Sequence, residues 1–171
     1  LQLPEGLKYV SGFNETKITN IQFPSTLEVI GGGQDDDYGV TTYSDAYGAF
    51  YGCKSLMCEI SLPHSLKRIG DSAFNNSAIK GNLALPEGLE YIGSSAFSSC
   101  YDLTGSLTIP SGVHIIYSSS FSSCGFTGNL TLPMGLTEIQ FNAFSGTKFK
   151  GELNIPSTVT TIGDGAFVNT E

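Results

Sequence analysis

Seven prolines stand in this chain, at positions 4, 24, 63, 86, 110, 133 and 156, and from Pro63 onward they are 23, 24, 23 and 23 residues apart. Aligned on them, the rest of the sequence falls into columns. Six positions after each proline comes an aliphatic residue (Val10, Ile30, Ile69, Ile92, Ile116, Ile139, Ile162), and eleven after each of the last five comes a phenylalanine (Phe74, Phe97, Phe121, Phe144, Phe167). Self-similarity at this period dictates a solenoid: one short unit cannot bury its own apolar face and stacks on its neighbours until a continuous core forms.

Within each unit, apolar residues stand three and one positions before the proline, as in Leu107 and Ile109 or Leu130 and Leu132. Alternation of period two predicts a short strand there, with Gln2, Gln22, Ser61, Ala84, Thr108, Thr131 and Asn154 as an outward row. The proline ends that strand, and a second extended segment is expected around the aliphatic residues that follow. Gly-x-x-Ala-Phe then predicts a brief helical or 3-10 turn with Ala and Phe facing the core. The fixed register of the Phe column reads as buried stacking rather than as an aromatic binding track. Gly81, Gly105, Gly128 and Gly151 precede the next strand and predict a bend or bulge.

Two copies depart from this pattern. Phe13 follows Pro4 by only nine residues, whereas Phe50 follows Pro24 by 26. Residues 31–46 therefore form an insertion, which in a solenoid has to leave the stack as a loop or hairpin. Tyr38, Tyr43, Tyr47 and Tyr51 lie in or beside it, half of the eight tyrosines of the chain, together with Asp35, Asp36, Asp37 and Asp45. Tyr mixed with Gly, Ser and Asp is the composition of recognition loops, because Tyr offers a large amphipathic contact area at low entropic cost. Candidate ligand-binding residues are Tyr38, Tyr43, Tyr47, Asp35, Asp36 and Asp37; the competing reading is that the tyrosines fold back over the solenoid flank.

Sixteen acidic residues against eight basic ones give a net charge of −8, which makes nucleic acid and anionic membrane surfaces poor partners. No run of about 18 apolar residues is present, so membrane insertion by this segment is not expected. The chain opens within a repeat and ends just after Phe167, and it reads as a single solenoid domain over 1–171, part of a longer protein.

No constellation for catalysis emerges. His64 and His114 occupy turn positions in different copies, without acidic or cysteine neighbours at a recurring ligand spacing. Gly31-Gly32-Gly33 lacks the strand-to-helix context of a phosphate loop. Asp35-Asp36-Asp37 offers oxygen ligands for calcium but not the alternating spacing of an EF-hand loop, and reads as a solvated acidic stretch. Cys53, Cys100 and Cys124 each stand three residues after a core Phe, where Ser77, Thr147 and Thr170 stand in other copies. That interchange predicts small packed free thiols. A Cys100–Cys124 bond is disfavoured by parallel side-chain vectors, and Cys53–Cys58 is the more plausible pair if one forms. No cofactor, metal or enzymatic activity is expected. Asn14-Glu15-Thr16, Asn75-Asn76-Ser77 and Asn129-Leu130-Thr131 match the glycosylation sequon.

At Leu-Thr-Ile-Pro-Ser-Gly-Val (107–113) and Ile-Gly-Asp-Gly-Ala-Phe (162–167), the chain resembles the BspA-like leucine-rich repeats, named for a Bacteroides surface antigen. The resemblance covers nearly all of the chain apart from the insertion. It implies a right-handed leucine-rich-repeat solenoid, a β-rich parallel stack of about seven 23-residue repeats. It also implies a secreted or cell-surface protein, most often bacterial, in a family linked to adhesion. The expected function is a non-catalytic recognition module that binds a host protein or glycan, the alternative being a passive spacer in a multidomain surface protein.

Overall fold

The structure, a computed structural model, describes residues 1–31 and 47–170. All of the insertion beyond Gly31 lies outside the described residues, and with it Asp35, Asp36, Asp37, Tyr38 and Tyr43. The chain winds as a parallel β-solenoid, and each proline-led repeat makes one rung.

The element shared by every rung is a two-residue strand over the fifth and sixth residues after the proline. These strands are Tyr9–Val10, Val29–Ile30, Arg68–Ile69, Tyr91–Ile92, Ile115–Ile116, Glu138–Ile139 and Thr161–Ile162. They pair in parallel with the register of the repeats, Tyr9 opposite Val29 and Val29 opposite Arg68. Parallel neighbours need a crossover of a dozen or more residues, which the remainder of each repeat supplies. The first four strands form one sheet and the last three another, with the break between Tyr91–Ile92 and Ile115–Ile116. In most strands the second residue is buried and the first is not: Ile30, Ile69, Ile116 and Ile139 are fully buried, whereas in the second strand Val29 is buried as well and in the last strand Ile162 is exposed.

The segment before the proline behaves differently from expectation. Among the described residues it forms a ladder between Leu107–Thr108 and Leu130–Thr131 and a bridge between Gln2 and Gln22, while Gly81–Asn82 pairs with Leu103–Thr104 just upstream. In the middle rungs the alternation still buries Ile60, Leu83 and Ile109 and exposes Ser61, Ala84 and Thr108. Orientation thus survives without pairing, since alternation along an extended segment sets which way each side chain points whether or not a neighbour is within hydrogen-bond reach. That proline instead anchors a turn: in all seven repeats its carbonyl accepts the N–H of the third residue onward, at 3.0–3.4 Å.

The stretch around the phenylalanine is a chain of turns rather than the expected helical or 3-10 segment. Residues two before and two after the Phe have left-handed backbone: Ser72 and Asn76, Ser95 and Ser99, Ser119 and Ser123, with φ between 54° and 60°. A helix requires consecutive right-handed residues, so these positions interrupt it at every rung. Hydrogen bonding alternates accordingly. Ser72, Phe74 and Asn76 donate to Ser94, Ala96 and Ser98 of the following rung, while Ala73, Asn75 and Ser77 donate three residues back within their own rung. The same alternation recurs around Phe97, Phe121 and Phe144.

This geometry stacks the phenylalanines. Phe13, Phe50, Phe74, Phe97, Phe121, Phe144 and Phe167 form one column with centroids 5.2–5.6 Å apart and ring planes within 4–14°. The compressed first copy and the expanded second copy therefore both contribute their Phe in register. Phe126 and Phe149 begin a second stack at 5.4 Å and meet the first edge-on. Gly105 marks a close approach as well as a bend: its φ is +78°, and a Cβ there would run into the Asn82 side chain.

Three residues after the Phe lies a column of small polar groups, Thr16, Cys53, Ser77, Cys100, Cys124, Thr147 and Thr170. Each thiol in it donates to the Phe carbonyl of the preceding rung: Cys53 to Phe13 at 2.9 Å, Cys100 to Phe74 and Cys124 to Phe97 at 3.1 Å. All four cysteines are free, so the Cys53–Cys58 pair considered above does not form. The Cys53 thiol is buried and committed to Phe13, while Cys58 lies half-buried on the flank.

Candidate functional site

The first residues of the strand row are Tyr9, Val29, Arg68, Tyr91, Ile115, Glu138 and Thr161, of which Val29 is buried. Strand alternation aims all of them at the same face, and two residues further on a second row does likewise. In that second row glycine stands at 31, 70 and 93, but Tyr117 and Gln140 replace it in the next two rungs. The two rows together build a side-chain cluster. The Arg68 guanidinium lies 4.1 Å from the Tyr91 ring centroid, a cation–π contact. On its other side Tyr91 meets Tyr117 at 5.1 Å with the rings tilted by 50°. The Tyr91 hydroxyl donates to the Asp71 carboxylate at 3.3 Å, and the same oxygen accepts the Ser94 N–H at 2.8 Å.

These contacts fix the state of the phenol. Burial pushes the Tyr91 ionisation well above the usual tyrosine range, the Asp71 and Tyr117 charges push the same way, and Arg68 opposes them. Tyr91 is therefore a neutral donor at every physiological pH. Two tyrosines, one arginine and one carboxylate thus form a half-buried platform on the strand face.

Tyr47 is the one candidate ligand-binding residue among the described residues. It is 46% exposed and packs its ring at 4.6 Å against Tyr51. It occupies in its rung the column position that Asp71 holds in the next, so the Tyr47–Tyr51 pair borders the Arg68–Tyr91–Tyr117 cluster along the stack. Asp35, Asp36, Asp37, Tyr38 and Tyr43 lie outside the described residues and are not placed in it. Sequence reading missed Arg68, Asp71, Tyr91 and Tyr117, which are scattered over 50 residues of chain and meet only through the rung register. Comparing the fifth, seventh and eighth positions after successive prolines would have found them.

Other polar groups serve the surface. Lys8, Glu28, Lys67 and Glu90 alternate in sign along one exposed row, with ion pairs of 2.6 Å (Lys8–Glu28) and 3.3 Å (Lys67–Glu90). Exposed pairs of this kind contribute only about 0–1 kcal/mol each. His64 and His114 are both exposed, and the His114 ring nitrogen Nδ1 bonds the Gly135 carbonyl at 2.9 Å. Among the described residues, no group of three or more His, Cys, Asp and Glu side chains is placed to hold a metal. No helix among them is long and apolar enough to cross a membrane.

Comparison with known proteins follows the same architecture. The BspA type leucine rich repeat region matches six copies over residues 46–171. A leucine rich cell surface protein from Faecalibacterium prausnitzii A2-165 is similar in structure, with a TM-score of 0.64 and 30% identity over 89% of this chain and 36% of its own. A leucine-rich repeat protein from Bacteroides ovatus ATCC 8483 shares the fold at a TM-score of 0.56 and 21% identity, over 95% of this chain and 44% of its own. The chain thus spans less than half the length of either protein. No curated protein sequence matches it significantly.

Proposed function

The chain belongs to the BspA-type leucine-rich repeat family, and from that premise we propose that it is a non-catalytic recognition module of a cell-surface or secreted protein. Its partner is a host protein or glycan, bound on the outward strand face at the Arg68–Tyr91–Tyr117 cluster and by the adjoining insertion, including Tyr38, Tyr43, Tyr47 and Asp35–Asp37. The observation that carries this reading is the cluster itself. A rigid stack presents aromatic faces, a guanidinium and a carboxylate at one place on the surface, and rigid aromatic and arginine anchors dominate binding energy at interfaces. Surface location is supported by the similar Faecalibacterium protein, which is a cell surface protein.

A spacer role is favoured by a different observation. On the turn edge, Ser94, Ser95, Ser98 and Ser99 stack on Ser118, Ser119, Ser122 and Ser123, a uniform small polar surface without anchors. The two readings separate in a screen of host matrix proteins and glycans against three forms: intact protein, Arg68→Ala/Tyr91→Ala, and a version lacking residues 32–46. Binding by the intact protein that falls at least about tenfold in either altered form, the loss of roughly one good anchor, assigns recognition to this face. Equal binding by all three forms places it elsewhere.

A further inference from the structure

The flank that carries the residues before the proline holds a groove of about 950 Å³ across the first three rungs. Rungs one and two pair there: Gln22 receives the Leu3 N–H on its carbonyl and donates its own N–H to Leu1. Between rungs two and three, among the described residues, no backbone hydrogen bond joins 21–23 to 59–61. Where this ladder is complete, Leu107 donates to Asn129 and Ile109 to Thr131. By that register the N–H groups of Ile21 and Phe23 and the carbonyls of Glu59 and Ser61 belong to each other, yet they do not meet. Two extended segments thus face the groove with peptide groups available, the condition under which a sheet edge accepts a further strand.

Two columns of side chains ring the opening. Before the proline, Gln2, Gln22 and Ser61 stand where Ala84, Thr108 and Thr131 follow; after it, Glu5, Ser25 and His64 stand where Glu87, Ser111 and Met134 follow. Glu5 is held in place by the Ser25 hydroxyl at 3.0 Å. Glu59 extends over Gly81, where any side chain would collide with it. Two carboxylates therefore border the groove against one exposed imidazole, in a chain of net charge −8.

We propose that this groove binds an extended peptide segment carrying lysine or arginine. The peptide main chain pairs with the open edges at Ile21–Phe23 and Glu59–Ser61, and Glu5 and Glu59 take the cationic side chain. The site is separate from the strand face, and its occupancy does not depend on that face.

The test is a fluorescence polarisation titration of the intact chain with an acetylated, fluorescein-labelled hexapeptide of alternating Thr and Lys. Saturable binding is expected. It should weaken about tenfold or more in Glu5→Gln/Glu59→Gln, through loss of charge-assisted hydrogen bonds, and disappear in Ser61→Arg, whose side chain fills the groove. All three substitutions are at exposed positions, and a thermal melt of each variant confirms folding. Arg68→Ala/Tyr91→Ala should leave this titration unchanged whether or not the strand face binds anything. Absence of saturable binding up to millimolar protein overturns the proposal. So does equal binding of the Thr/Glu peptide, or of a Thr/Lys peptide N-methylated on alternate amides, which cannot pair as a strand. Displacement by a hexasaccharide of N-acetylglucosamine would give the groove to a glycan and overturn it as well.

Discussion

The interior phenylalanine column and the outward strand row run side by side through the same seven rungs, yet they have opposite characters. The interior column holds one residue type seven times, each ring parallel to the next. The outward row reads Tyr, Val, Arg, Tyr, Ile, Glu, Thr, with no two neighbours alike. A stacked ring is sandwiched between copies of itself, so any change at one rung is felt by two others; an outward side chain faces solvent and is free to vary. Stability in such a molecule belongs to the columns that repeat, and specificity to those that do not.

The contrast is open to direct attack. Replacing Phe97 or Phe121 by Ala, each ring lying between two others, should cost about 3–5 kcal/mol in chemical denaturation. A loss within about 0.5 kcal/mol, the range of ordinary surface changes, would place the column outside the core. The thiol column should resist next. Burial raises the Cys100 thiol from 9.0 to about 12 and pushes Cys124 up in the same direction. The folded state keeps these protons where the unfolded chain releases them. Their contribution is therefore complete below about pH 9 and is lost as pH rises toward about 12. Denaturation midpoints at pH 8 and pH 10.5 should differ more for the parent than for Cys100→Ala/Cys124→Ala, and a thiol reagent at neutral pH should modify neither buried cysteine in the native protein.

Smaller effects test the turn edge and the strand face. Ser99 has a φ of 60°, so Ser99→Val should destabilise by about 1–2 kcal/mol, while Ser99→Gly should stabilise by about 0.5 kcal/mol. Equal effects from the two would show that the left-handed backbone there is not what selects Ser, Asn and Gly. On the outward row, Tyr91→Phe removes only the hydrogen bond to Asp71 and should cost about 1 kcal/mol. A loss approaching that of Phe97→Ala would mean that the strand face, too, is core.

The columns were legible in the sequence because from Pro63 onward a proline every 23 or 24 residues supplies the register, and once register is known, burial follows from alternation. Two local features were not. Gly-x-x-Ala-Phe resembles a helix start, and only the left-handed backbone at Ser72, Asn76 and their equivalents reveals a turn whose N–H groups point alternately along the stack and back into the rung. The apolar residues flanking each proline alternate like a strand, yet mostly do not pair, since alternation reports which way side chains point and says nothing of distance to a neighbour. The Arg68–Asp71–Tyr91–Tyr117 cluster was invisible for another reason: its members belong to three different repeats, and a reading that looks for sameness between repeats passes over the positions where they differ.

The alternating bonds of the phenylalanine turn carry one more implication. There the N–H groups of Ser95, Phe97 and Ser99 donate forward, to Ser118, Ser120 and Ser122. Beside the inner strand the sense is reversed: Gly93 donates back to Ile69 and Gly163 back to Ile139. Any cross-section of the stack is therefore a keyed plug, with donors protruding on one edge and acceptors on the opposite edge, and the next cross-section is its socket. A repeat rotated by half a turn about the long axis would set donor against donor, and one entered upside down would invert every contact. Growth of the stack accordingly admits a single orientation of each added unit, a safeguard against misthreading that depends on the main chain alone and leaves the outward side chains free to diverge.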